Sequence, residues 1–210
     1  MSNQEPLLLD DRLASVKEAL AHPEPAEAFS EETHGDRTHA AVSLILRAGA
    51  EMEVLFIKRA VAEGDPWSGQ MALPGGRKDQ ADSTLLDTAV RETLEETSVS
   101  LAEEGLPLGR IEPLVPATVR LPPITIFPFV FGVPEGTEAR VASREVDEVL
   151  WVPLNTLTDP EISGTVEITY RDSPARTFPC WRVDGRVVWG LTYRILNRFF
   201  DATGEAWAST

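Results

Sequence analysis

At 210 residues the chain has room for one ordinary domain with a substantial core and short appendages, and not for a second full domain. A formal net charge of −15 disfavours nucleic acid as a partner, because binding it depends on Lys and Arg neutralising phosphates; a small polyphosphate neutralised by metal ions and a few local cations remains open. The single cysteine, Cys180, excludes an intramolecular disulfide framework, and neither a basic, apolar leader nor an unbroken transmembrane run is visible, so a soluble cytoplasmic protein with no membrane partner is expected.

Residues 7–20 place Leu9, Leu13, Val16 and Leu20 at helical spacing, which predicts an amphipathic helix packed on the domain or on a partner subunit, the latter giving a homodimer. Residues 22–36, with Pro23, Pro25 and several acids, read as a linker. The expected boundaries are an N-terminal helix and linker over 1–37, a main domain over 38–201 and a frayed tail over 202–210. His22, His34 and His39 lack metal-ligand spacing and read as surface residues.

Residues 40–47 and 53–58 are rich in β-formers on either side of Ala48, Gly49 and Ala50, which suits a hairpin. Lys58 and Arg59 end its second strand at the mouth of the run GDPWSGQMALPGG, where a cation either meets a phosphate or simply ends in solvent. Trp67 in that run stacks on an adenine or fills the loop core, and packing is favoured because aromatic side chains bury large areas.

Residues 75–99, GGRKDQADSTLLDTAVRETLEETSV, hold a glycine pair, a polar loop and a helix with three glutamates. At about 100° per residue, Leu86, Ala89, Val90, Thr93, Leu94 and Thr97 share one face, expected to pack, and Glu92, Glu95 and Glu96 gather on the other. Like charges at i+3 and i+4 cost about 0.2–0.5 kcal/mol per pair in an isolated helix. A bound cation offsets that cost. Asp87 to Arg91 and Arg91 to Glu95 are opposite-charge pairs at i+4, so Arg91 is expected to steady the cluster. Hard oxygen ligands select Mg²⁺ or Mn²⁺, and Mg²⁺ is usually held by carboxylates together with substrate phosphates, which points to phosphate chemistry. A bare R-E-x-x-E-E equally fits a solvated acidic helix face.

The upstream glycine pair separates these readings. Gly75, Gly76, Arg91, Glu92, Glu95 and Glu96 together resemble the Nudix box, a glycine, a loop and then R-E-x-x-E-E-x-G. Two positions differ: Ser83, with Asp82 beside it, stands where the box usually has glutamate, and Ser98 stands where its closing glycine is usual. Asp82 either takes the missing glutamate's place or caps the helix. The spacing of Gly75, Gly76, Asp79 and Asp82, with LFIKRA at 55–60 and GQMALPGG at 69–76, resembles the coenzyme A diphosphatase branch of that family. Between those two runs the branch usually has arginine and histidine, where this chain has Asp65, Pro66, Trp67 and Ser68.

The resemblance covers roughly residues 40–200 and implies the Nudix fold, α/β (α+β), with a mixed β-sheet sandwiched between α-helices. It implies a diphosphatase that uses Mg²⁺ or Mn²⁺, held by Glu92, Glu95, Glu96 and the Gly76 carbonyl, with Arg91 orienting and Arg59, Arg77 and Trp67 at the substrate. The expected substrate is coenzyme A or an acyl derivative. Another nucleoside diphosphate derivative or a nucleoside triphosphate comes second, and a ligand-binding module without turnover third.

Beyond the helix, residues 109–116 and 124–132 read as strands, the second interrupted by Pro128 and so bulged or at an edge. Arg120 in the TVRLPP loop between them contacts a phosphate or is an ordinary exposed arginine. Glu145 and Glu148 are candidates for a further metal ligand or a general base, against the default of solvated acids. Residues 166–170, 176–178 and 180–183 read as short strands, Asp184 and Gly185 as a hairpin turn into 186–189, and 190–200 as a closing helix. Cys180 reads as core. There is no P-loop, paired G-x-G-x-x-G, H-E-x-x-H or G-x-S-x-G.

Overall fold

Two β-rich runs joined by a short turn make the framework: β1 (Thr38–Ala48) and β2 (Met52–Arg59) form the expected antiparallel hairpin, with Arg47 opposite Glu53. The computed structural model describes residues 10–21, 38–63, 67–116, 123–169 and 174–208. Leu9, His22, His34, Asp65, Pro66 and Arg120 lie outside them.

Around the hairpin, β3 (Met71–Ala72), β5 (Leu106–Arg110) and β6 (Ile124–Val133) give the strand order β3-β2-β1-β6-β5. Two further strands branch off, β4 (Gly75–Arg77) on β1 and β7 (Val146–Pro153) on β2. The β1/β6 pair is parallel and the remaining pairs antiparallel, so the sheet is mixed. Both faces of β1 are covered, as its near-continuous apolar sequence requires. Ala41 and Ile45 pack with α2 (Leu85–Thr97) and α3 (Leu101–Glu104), while Leu44 and Leu46 join the larger core with α1 (Asp11–Leu20) and α5 (Gly190–Thr203). A second sheet, β10-β9-β8, built from β8 (Ser163–Ile168), β9 (Arg176–Val183) and β10 (Arg186–Trp189), contributes Trp181, Val183 and Val188 to that larger core. The short helix α4 (Leu154–Thr158) follows β7.

Several expectations change. Leu13 and Val16 of α1 are fully buried in the domain's own core, so this face of the helix is not free for a partner subunit. Pro128 sits in β6, an interior strand, neither at an edge nor at a break in that strand. Its carbonyl accepts from Ile111 N–H (3.0 Å) just past the end of β5, so its missing donor faces the side where the ladder stops. The expected strand over 109–116 begins and ends earlier, as β5. The tail is folded: α5 runs to Thr203, and Trp207 is buried with its ring 5.7 Å from Phe200. His39 is half-buried, edge-on to Phe127 (5.6 Å). Among the described residues no helix is long and apolar enough to cross a membrane.

Helix α2 ends on Ser98, whose backbone is left-handed (φ 60°, ψ 9°) and whose N–H donates to the Leu94 carbonyl. An L-residue with a Cβ is disfavoured there by about 1–2 kcal/mol, and glycine is not. Replacing Ser98 by glycine should raise stability by about 0.5–1 kcal/mol, after allowing for glycine's greater freedom in the unfolded chain. The check is a higher urea midpoint at unchanged m-value.

Candidate active site

Helix α2 begins at a capping box in which the Thr84 hydroxyl accepts from Asp87 N–H (3.1 Å) and the Asp87 carboxylate accepts from Thr84 N–H (2.8 Å). Thr84 is therefore the N-cap, which rules out that role for Asp82 and takes Asp87 away from Arg91. The packed face of α2 is rotated from the one the wheel predicts, keeping Ala89, Thr93 and Thr97 and losing Leu86 and Leu94. Leu85, Thr88, Ala89, Thr93, Glu96 and Thr97 are buried, whereas Leu86 and Leu94 are 36% and 49% exposed. The sheet thus receives the side of the helix that carries Glu92 and Glu96.

Buried hydroxyls fix that rotation. Thr93 Oγ1 donates to Ser43 Oγ (2.8 Å) on β1, and Ser43 Oγ donates to the Ala89 carbonyl (3.2 Å). Ser43 N–H in turn donates to the Pro74 carbonyl (2.8 Å), just ahead of the glycine pair. Helix, sheet and glycine turn are joined at one residue.

Against that turn lie the two inward carboxylates. Glu96, only 3% exposed, accepts from Gly75 N–H at 2.9 Å. The half-buried Glu92 lies over Gly76, where an added Cβ would come within 2.8 Å of even its farther oxygen. A Cβ on Gly75, at φ +153°, would collide with the backbone of Ala41 and Val42. Both glycines are there because neither position has room for a side chain. Glu95 differs, with a 56% exposed side chain drawn to Arg91 (3.2 Å).

Arg91 binds four groups. Its Nε and Nη2 each donate to an oxygen of Asp82 at 2.9 Å, its Nη1 lies 3.0 Å from Glu92 Oε1 and 3.2 Å from Glu95 Oε2, and Nη2 reaches the Arg77 carbonyl (3.3 Å). Buried Asp82 also accepts from Asp79 N–H and Thr88 Oγ1, both at 2.9 Å. The Arg91 guanidinium holds the Asp82 carboxyl well below the usual carboxylate range.

Among the other predicted residues, Arg59 is half-buried at the end of β2 and its charge acts on Glu96. Exposed Glu145 is tied to the same corner, its carbonyl accepting from Ala60 N–H (2.8 Å), and its charge acts on both Glu92 and Glu96. Arg77 is exposed on β4. Trp67 is half-buried ahead of β3, where its carbonyl accepts from Gln70 N–H (3.2 Å). Lys58 is committed elsewhere, to Asp147 (2.7 Å) and Glu148 (2.9 Å), and Glu148 also pairs with Arg186. Residues 137–144, just ahead of the predicted Glu145, escaped the sequence reading because no motif or period marks them. They place the N–H groups of Arg140 and Ala142 on the carbonyls of Thr97 (2.9 Å) and Glu96 (3.1 Å).

Burial pushes the Glu96 carboxyl up to about 8, with the Gly75 N–H and Arg59 opposing and the charges of Glu92 and Glu145 adding. Burial likewise raises Glu92, against the pull of Arg91. Among the described residues no three His, Cys, Asp or Glu side chains form a ready-made metal cage, since Arg91 draws Glu95 outward. A raised carboxyl pKa means the folded state prefers the protonated acid, so stability falls as pH rises from about 4.5 through about 8. In chelator-treated protein, Glu96→Gln keeps an acceptor for Gly75 and removes the charge. Its melting temperature should match wild type in acid and exceed it by several degrees above pH 8, at about 2–4 °C per kcal/mol; a pH-independent difference would contradict the assignment.

The family model of the NUDIX domain matches residues 37–170. An uncharacterised protein of Schizosaccharomyces pombe is 34% identical over 160 residues, which are 74% of this chain and 49% of that protein. The uncharacterised Nudix hydrolase NudL of Yersinia enterocolitica is 28% identical over 85% of this chain and 86% of its own. The human mitochondrial coenzyme A diphosphatase NUDT8 is 32% identical over 59% of this chain and 51% of its own. The chain thus spans about half the length of the yeast and human relatives. A MutT/nudix family protein from Enterococcus faecalis shares the fold, with a TM-score of 0.53 at 15% identity over 90% of this chain and 72% of that one. With the box residues in place and well over half the chain matched, this protein belongs to the Nudix family.

Proposed function

We propose that the chain is a divalent-metal-dependent hydrolase of a small-molecule diphosphate, with coenzyme A or an acyl derivative as the leading substrate. The observation that carries the reading is the pair of inward carboxylates, Glu92 against Gly76 and Glu96 against Gly75. Their oxygens are the hard donors that Mg²⁺ or Mn²⁺ takes. They fit such an ion: Glu96 is buried where its own charge is disfavoured, and a divalent cation is the counter-charge that keeps it ionised.

Glu92, Glu95, Glu96 and the Gly76 carbonyl would hold the ion, with Glu95 turning in from Arg91. When bound, the ion neutralises the diphosphate and lowers the pKa of the attacking water. Arg91 orients Glu92, and Asp82 orients Arg91. Arg59 and Arg77 supply charge for phosphate oxygens. A carboxylate takes the water's proton, with Glu92 and Glu145 as the two candidates.

Coenzyme A is favoured by the run GQMALPGG and by the similarity to the human coenzyme A diphosphatase. Other nucleoside diphosphate derivatives are second, because Asp65, Pro66, Trp67 and Ser68 replace the residues usual in that branch. Mass-spectrometric product analysis with Mg²⁺ should show phosphopantetheine and adenosine bisphosphate forming faster from coenzyme A than products form from ADP-ribose, NADH, a diadenosine polyphosphate or a deoxynucleoside triphosphate. Glu96→Gln should keep its circular dichroism spectrum and lose turnover by about 100-fold or more. Faster cleavage of another diphosphate selects the second substrate class; wild type that binds ligand in Mg²⁺ and returns it intact overturns the enzyme reading.

A further inference from the structure

Three buried oxygens meet where α2 packs on β1. Thr93 Oγ1 lies 2.8 Å from Ser43 Oγ and 2.8 Å from the Ala89 carbonyl, and Ser43 Oγ lies 3.2 Å from that same carbonyl. Ser43 and Thr93 are fully buried. Two hydroxyls bring two protons to three short contacts, so the carbonyl can satisfy either hydroxyl when the other is removed. Stability alone does not call for the couple, because alanine and valine would fill the same space with no hydroxyl left unpaired.

What the couple adds is a cross-link at one point. Thr93 to Ala89 is a bond within α2, and the contacts of Ser43 are the ones that join the helix to the sheet. Ser43 N–H also donates to the Pro74 carbonyl (2.8 Å), and the preceding Val42 and Ala41 are in register with Gly75 and Gly76. One residue of β1 thus sets both the height of the glycine turn and the depth of the helix. On the helix side, Thr93 follows Glu92 directly and stands about one turn ahead of Glu96, whose carboxylate takes the Gly75 N–H (2.9 Å). Leu85 and Ala89 pack on Ala41 and Phe127, and such apolar contacts press the helix onto the sheet without fixing its direction. A shift of α2 by about 1 Å, enough to cost about 100-fold in rate at a reacting centre, would disturb both carboxylates at once.

Resting on the hydrolase reading above, we infer that Ser43 is a positioning residue with Thr93 as its partner. The hydroxyl couple sets the depth at which Glu92 and Glu96 meet the glycine turn, and with it the affinity of the site for a divalent cation, while adding little to the stability of the fold. Being fully buried, Ser43 acts through α2 and not on the substrate.

The test compares wild type with Ser43→Ala, Thr93→Val, Thr93→Ser and the Ser43→Ala/Thr93→Val double variant. In chelator-treated protein the urea midpoint and the hydrogen exchange of the Gly75 amide are measured. Mn²⁺ affinity is read by paramagnetic resonance of the free ion, and kcat and KM on the diphosphate that wild type cleaves fastest. Ser43→Ala should keep the urea midpoint, speed exchange at Gly75 by about 10-fold, and lower Mn²⁺ affinity and kcat by about 10-fold each. Thr93→Val leaves Ser43 on the Ala89 carbonyl and should lose less, and Thr93→Ser should match wild type. The double variant should lose no more than Ser43→Ala, since the cross-link is already gone. Wild-type Gly75 exchange and Mn²⁺ affinity in Ser43→Ala overturn the inference. A urea midpoint that falls in step with activity, or a Ser43→Ala protein that does not fold, also overturns it by making the couple a stability element. Wild type that cleaves no diphosphate overturns the hydrolase reading, and the Gly75 amide and Mn²⁺ affinity then decide the couple by the same two results.

Discussion

Two carboxylates turned inward from one helix onto a pair of glycines set the terms for the rest of this structure. Facing Glu92 and Glu96 toward the sheet costs desolvation and mutual repulsion, which shows as upward pressure on both acids. The surroundings oppose that cost at fixed points. Gly75 donates a backbone N–H to Glu96, Gly76 leaves space for Glu92, and Arg91 brings a positive charge within 3.0 Å of Glu92. A side chain at Gly75 would strike the β1 backbone, and one at Gly76 would strike the Glu92 carboxylate.

Orientation of α2 therefore matters more than its stability alone. The Ser43 and Thr93 hydroxyls bury polar atoms that an apolar pair could replace at little cost, yet they join the helix to the strand that also holds the glycine turn. At the other side of the site Asp82 grips Arg91 through both carboxylate oxygens and is itself held by Asp79 and Thr88. This chain of fixed contacts runs from the polar loop to the glutamates. Asp82, beside Ser83, is engaged with Arg91, and Thr84 does the capping.

The hairpin, the helix, the second sheet's turn and the nearness of the glycine pair to the glutamates were legible because each rests on local chemistry: β-formers around a short turn, carboxylates at helical spacing, Asp-Gly, and glycines that leave room for close approach. The rotation of α2 was not. A wheel that assumes apolar residues pack puts Leu94 inside and Glu96 outside, and the fold inverts both because the acids face the glycine turn. Pro128 misled for a related reason, since its fit in an interior strand depends on where the neighbouring strand stops. Residues 137–145 have no periodicity to read. Their meaning lies in long-range backbone hydrogen bonds. Trp207 was lost in an expected tail because one buried aromatic gives no pattern.

The central claim is that the close seat of Glu92 on Gly76 makes the proposed cation site. Its most direct measurement is the Mn²⁺ affinity of Gly76→Ala against wild type, by calorimetry, with circular dichroism to show that both are folded. The added methyl would occupy the position of the Glu92 carboxylate, and the account predicts a loss of about 10–100-fold in affinity with the fold retained. A folded Gly76→Ala that binds Mn²⁺ as tightly as wild type would contradict it.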